Sequence, residues 1–227
     1  MNDVDTYKYL DSLELSENTG RIRILSYLSA VIAIGEQEKL LSVLQCLQKR
    51  HFDYNAIYEI ILQSYLFLGF PRMIEATIAY NEIYGDSNGA YEKEFNQVSQ
   101  EESSKWFENG IMLCKQIYGK NYERLKERFL SISPEMFRWM VIEGYGKVLS
   151  RPGLSSVERE LAEVAALIVD QRERQLVSHI IGSLNVGATI ELIKQVNKDI
   201  KPLAGVKAYD LAIQLISKME LKNDSSL

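Results

Sequence analysis

The sequence predicts an all-α protein, and three features of its 227 residues carry that expectation. Only four prolines occur, Pro71, Pro134, Pro152 and Pro202. Between them apolar residues recur at three- and four-residue spacing, the period of a helix that lays one face on a core. Runs of β-branched residues, which would favour strands, are few.

Helices are expected at about 22–34, 37–51, 54–68, 71–83, 103–118, 134–149, 156–169, 171–186, 189–201 and 205–219. In "EKLLSVLQCLQKRHF" the residues Leu40, Leu41, Val43, Leu44 and Leu47 mark one helical face. Ile57, Ile60, Ile61, Tyr65 and Leu68 mark another in "NAIYEIILQSYLFLGF". The stop "LGF" before Pro71 reads as a glycine break followed by a helix-start proline. Ser133 before Pro134 reads as an N-cap with proline at the first helical position.

An offset of 136 residues, without a gap, aligns Arg23 with Arg159, Leu25 with Leu161, Ala30 with Ala166, Ile32 with Ile168 and Leu40 with Leu176. It also aligns Ser42 with Ser178, Ile57 with Ile193, Gly69 with Gly205 and Ala76 with Ala212. The apolar faces stay in register, and the shared glycine falls at the same helix break, so an internal duplication is expected. Tyr9 and Leu13 match Tyr145 and Leu149 at the same offset. The expected division is a first repeat at 1–84, a connecting segment with an extra helix at 85–133, and a second repeat at 134–227. The connecting segment contains the polar run "NQVSQEESSKWFENG".

With 46% hydrophobic and 25% charged residues the chain has the balance of a globular protein that buries a core without staples. Its 26 basic residues against 31 acidic ones give a net charge of -5, and the basic residues are scattered. No nucleic-acid partner and no anionic membrane surface is expected from that pattern. The start "MNDVDTYKYL" has neither a basic nor an apolar leader segment, and Cys46 and Cys114 are the two cysteines, so a reducing cytoplasm is the expected location. The longest near-apolar stretch, Tyr27 to Gly35, is far short of the roughly 20 residues that span a bilayer.

The segments "IYGKNYERL", "SPEMFRWMVIEGYGKVLSRPGLSSVEREL", "LVSHIIGSLNVGATIELIKQV" and "QSYLFLGFPRMIEA" resemble the carboxymuconolactone decarboxylase family of the alkylhydroperoxidase D-like superfamily, in its tandem two-domain form. The resemblance covers nearly the whole chain. It implies antiparallel helical repeats packed with pseudo-twofold symmetry, and obligate oligomers. It also implies one of two chemistries, decarboxylation of a muconolactone or thiol-based peroxide reduction. If single-domain members form hexamers, a fused pair implies a homotrimer that imitates one.

The peroxidase branch carries a Glu, then CxxC, then His four residues after the second Cys. One thiolate attacks peroxide, the second resolves the sulfenic acid, and the His and Glu move protons. On this chain the resemblance places the Glu at Glu160, the His at His179 and the glycine that ends the helix at Gly187, but Arg172 and Gln175 stand at the two cysteine positions. In the first repeat the four positions are Ile24, Glu36, Lys39 and Val43. Disulfide-cycling peroxidase activity is therefore not expected.

Glu160 and Glu163 lie three apart on one expected helix and can present two carboxylates to the same side, while His179 lies on the next, antiparallel helix. A Glu–His contact would orient the imidazole and raise its pKa, and a structural role for both residues is the alternative. A lactone decarboxylase needs a cation for the substrate carboxylate and an acid for the carbon that gains a proton. Arg151 and Arg72 are the candidates for the first task and His179 for the second, with Tyr65 and Tyr145 as pocket-lining candidates.

Cys46 and His51 are five apart, roughly 140° round a helix, and do not share a face. No His, Cys and carboxylate spacing suggests zinc, so neither a metal nor another cofactor is expected. The expected function is a cofactor-independent, lyase-type enzyme acting on a small lactone or carboxylated metabolite through His179 and Glu160. The alternatives are a non-catalytic oligomeric binding or scaffold module, and a peroxidase that uses an isolated thiol.

Overall fold

The computed structural model describes residues 8–13, 18–85 and 97–224, and no strand occurs among them. The helices are α1 (Asn18–Ile34), α2 (Gln37–Lys49), α3 (Tyr54–Tyr84), α4 (Gln100–Tyr118), α5 (Tyr122–Ile132), α6 (Pro134–Trp139), α7 (Ser156–Val169), α8 (Glu173–Asn185) and α9 (Ile190–Asp224). A π-helix, Met140–Leu149, continues α6. No described helix is long and apolar enough to cross a membrane.

Two compact units divide the chain: residues 1–87 together with 153–227, and residues 88–152. In the first, α1 and α7 pack side by side at the centre, and each also packs on α3 and α9. Ile24, Leu25, Tyr27 and Leu28 of α1 and Leu161 of α7 are fully buried there. The start of α7 is fixed by a reciprocal cap, in which Ser155 Oγ accepts from the Glu158 N–H at 3.3 Å and Glu158 Oε2 accepts from the Ser155 N–H at 2.7 Å. Arg21 of α1 donates through Nε to Glu158 Oε1 at 2.6 Å, which ties α1 to that cap.

The 136-residue offset reappears in the backbone. Gly69 breaks α3 at φ 78, ψ 165 and Gly205 breaks α9 at φ 82, ψ 165. Gly35 and Gln171 both take positive φ at the first interhelical turn of each half, as do His51 and Gly187 at the second. Side chains follow the same relation. Arg159 donates through Nη2 to Glu59 at 2.9 Å and through Nη1 to Gln63 at 3.0 Å. Its equivalent Arg23 donates through Nε and Nη2 to Asp199 at 2.6 and 2.9 Å, with Gln195 donating to the same carboxylate at 2.8 Å. Acid and amide have exchanged places between Glu59/Gln63 and Gln195/Asp199, but each arginine reaches into the other half, as a twofold-like relation requires.

In the unit of residues 88–152, α4 lies against the π-helix at close range. A Cβ built on Gly146 would come within 1.8 Å of the Trp106 carbonyl oxygen, and one on Gly110 within 2.1 Å of that of Val141. Cys114, Ile117, Val141 and Tyr145 are buried in this unit. Ser133 Oγ accepts from the Met136 N–H at 3.2 Å with Pro134 at the helix start, as its sequence predicts.

Three features differ from expectation. The run 134–149 is expected as one α-helix but turns to π geometry at Met140. Helix α5 lies where only connecting chain is expected; its Tyr122, Leu125 and Phe129 have helical spacing within a charged stretch. Residues 134–152, grouped by sequence with the second repeat, belong to the compact unit 88–152, so the compact units and the expected repeats divide the chain at different points.

Candidate functional site

Helix α7 is buried along most of its length, and from the Ser155 cap its register turns Glu160 and Glu163 inward. The chain reverses at Asp170–Arg172, where Gln171 takes φ 55, and α8 returns antiparallel. Glu163 and His179 stand eight residues on either side of Gln171, which sets them level across the helix hairpin. His179 Nδ1 lies 3.0 Å from Glu160 Oε2 and 2.9 Å from Glu163 Oε2. All three are interior, with Glu160 and Glu163 each 1% exposed and His179 7%. Phe67 of α3 meets the imidazole edge-on, with ring centroids 5.2 Å apart.

One nitrogen faces two carboxylates, and it carries one hydrogen. Its hydrogen bond goes to Glu160. Neither carboxylate oxygen of Glu163 makes a hydrogen bond among the described residues, although Oε2 is the closer of the two acceptors to Nδ1. Burial opposes charge on the imidazole, but Glu160 and Glu163 override it and hold His179 up at about 10. Burial pushes the Glu163 carboxyl up to about 7, helped by the Glu160 charge and opposed by His179 and Arg159. At neutral pH the group therefore contains an imidazolium and a carboxyl poised to gain or lose a proton.

The positions reserved for thiols in a peroxidase are on the surface. Arg172 and Gln175 are both exposed, and Arg172 Nε pairs with Asp170 at 2.7 Å. Cys46 and Cys114 are buried elsewhere, and burial raises both thiols, Cys114 to about 12. A thiolate nucleophile is thus disfavoured at either position.

The structure brings Glu160 and His179 together as expected, and makes Glu163 a third member of the group. Tyr65 stacks on Phe70, with centroids 4.9 Å apart. Arg72 lays its guanidinium across Gly35. Tyr145, in the unit 88–152, shares a 2.6 Å hydrogen bond with the Tyr118 hydroxyl, and Arg151 belongs to that unit as well. Sequence reasoning passed over Phe67, which sits two residues beyond the chosen Tyr65 and takes the position on the imidazole. Although the chain spacing does not suggest zinc, the hairpin gathers Glu160, Glu163 and His179 so that one ligand atom from each lies within 4.8 Å of the others.

Fold and site together define an all-α protein with a buried Glu–Glu–His cluster and no thiol beside it. The carboxymuconolactone decarboxylase family model matches residues 134–217, a span that holds all three members of the cluster. Peroxisomal protein 2 of Schizosaccharomyces pombe is 28% identical over 141 residues, 62% of this chain and 64% of that protein. The match thus spans less than two thirds of the relative's length.

Proposed function

We propose that the protein is a carboxymuconolactone decarboxylase-like enzyme that uses acid–base chemistry on a small lactone or carboxylated metabolite. The observation that carries this reading is the 3.0 Å contact between His179 Nδ1 and Glu160 Oε2 in a buried setting. With Nδ1 committed to carboxylates, Nε2 is the nitrogen left to exchange a proton with substrate. His179 enters as imidazolium. As the substrate's carboxylate departs as carbon dioxide, the electron pair of the broken bond stays on carbon and takes the proton from Nε2. Solvent then reprotonates the imidazole, and Glu160 keeps its ring oriented throughout. Arg72 remains the proposed cation for a substrate carboxylate, and Tyr65 the proposed pocket wall.

Ile24, Tyr27 and Val43 stand at the equivalent positions of the first half, which therefore serves as scaffold. Self-association, as a homotrimer, is part of the proposal. It is supported by a stripe of exposed apolar residues on one face of α3, Phe70, Ile74 and Ile78.

The test is turnover of a panel of lactones and small carboxylic acids, with His179→Ala as the control and circular dichroism to verify its fold. General acid catalysis is worth about 10²–10⁴-fold, so the variant should lose at least about 100-fold in kcat. Unchanged turnover in a folded variant refutes the role of His179. No turnover across the panel in the native trimer favours a binding module instead.

A further inference from the structure

The crowding of Glu160 and Glu163 around one imidazole nitrogen points to a second use of the same cluster. Two buried carboxylates share one imidazole nitrogen, which can direct its hydrogen at only one of them. Both oxygens of Glu163 are left without a hydrogen bond among the described residues, in a side chain 1% exposed. Buried charge is normally paired or bound to metal, and an unsatisfied carboxylate in the interior is costly. A divalent cation would balance two carboxylates and a neutral imidazole, and would serve both carboxylates at once where the single hydrogen of Nδ1 serves one.

The spacing suits that role. Ligands about 2.0–2.2 Å from a metal sit roughly 3.0–3.5 Å apart along the edges of an octahedron or tetrahedron. His179 Nδ1 lies 3.0 and 2.9 Å from the two Oε2 atoms, so shifts of a few tenths of an ångström would open the cluster around an ion. One imidazole with two carboxylates is a donor set for divalent first-row transition metals rather than for magnesium or calcium, which take oxygen alone.

We infer that Glu160 Oε2, Glu163 Oε2 and His179 Nδ1 form a binding site for a single divalent transition-metal ion. The ion and the shared proton use the same lone pairs and exclude each other. Metal binding therefore displaces protons and removes the imidazolium. The inference does not rest on the acid–base reading, since the cluster can hold metal whether or not it turns over a substrate.

The test uses the full chain, stripped with chelator and titrated calorimetrically with Zn2+ in two buffers of different ionisation enthalpy. A single tight site per chain that releases protons is expected. Glu163→Gln and Glu160→Gln should each weaken it by about 100-fold, at least the effect of removing an outer-shell partner. Either variant that fails to fold would show in its circular dichroism, leaving the other to decide. Co2+ provides a measurement independent of variants: visible d–d bands without a thiolate charge-transfer band are expected, because the donors are nitrogen and oxygen. Absence of binding overturns the inference, as does binding that both glutamine variants retain or a thiolate band. Turnover by the chelated protein is measured separately. Its persistence would leave the acid–base reading standing even if no metal binds, and its loss with Zn2+ binding intact would do the reverse.

Discussion

Glu163→Gln keeps the shape of the side chain and removes its charge, so it isolates the cost of a second buried carboxylate. Burial holds the Glu163 carboxyl at about 7 in the folded protein against 4.5 ordinarily. Between those values the folded state binds more protons than the unfolded one. The stability this group contributes is therefore full below pH 4.5 and is lost as pH rises through 7. One pH unit between the two values is about 1.4 kcal/mol, so the rise from 4.5 to about 7 corresponds to a decline of about 3 kcal/mol. His179 acts over a higher window: with its folded value raised from 6.5 to about 10, its contribution is full below 6.5 and falls as pH rises toward 10. The native protein should lose stability from about pH 5 upward, whereas the glutamine variant should be flat to about 6.5 and decline less steeply above it. Urea unfolding at pH 5, 6.5 and 8, in chelator to keep metal out, measures this through the midpoint at constant m. Parallel curves for the two proteins would refute the reasoning.

Arg159→Met takes the guanidinium away from the buried Glu59 and Gln63, and should cost about 3–5 kcal/mol in urea unfolding; a loss below about 1 kcal/mol would contradict a structural role for the pair. Gly205→Ala puts a side chain at φ 82, ψ 165, a region almost reserved for glycine, and should cost about 1–3 kcal/mol. Its Cβ would meet nothing within 4 Å among the described residues, so the cost is in the backbone, and thermal unfolding equal to wild type would show that the kink is dispensable. Cys46 and Cys114 should resist a disulfide labelling reagent in the native protein and react only in urea; fast native labelling would reopen the thiol reading.

The helix pattern was legible because apolar faces repeat at helical period, and the breaks at Gly69 and Gly205 because glycine is the residue that tolerates those angles. A tight turn between two antiparallel helices makes residues equidistant from it neighbours, which sets Glu163 level with His179, and Glu160 follows one helical turn away on the same face. The competition between Glu160 and Glu163 for one nitrogen could not be read that way, because it depends on side-chain torsions that spacing does not encode. The π-helix at 140–149 was equally hidden, since an added residue per turn leaves no mark in composition. Helix α5 was readable in principle: Tyr122, Leu125 and Phe129 kept the period, but the charges around them masked it.

The crossed arginines bear on how this chain could be cut. Arg23 finds its carboxylate at Asp199, and Arg159 finds its own at Glu59, so each half supplies the counter-ion for a guanidinium of the other. Severing the chain in the region of residues 86–96 would leave both fragments with an interior charge separated from its mate. Neither fragment should fold alone, yet the two mixed together should reassemble, which makes the protein suited to fragment complementation and unsuited to stepwise loss of either half.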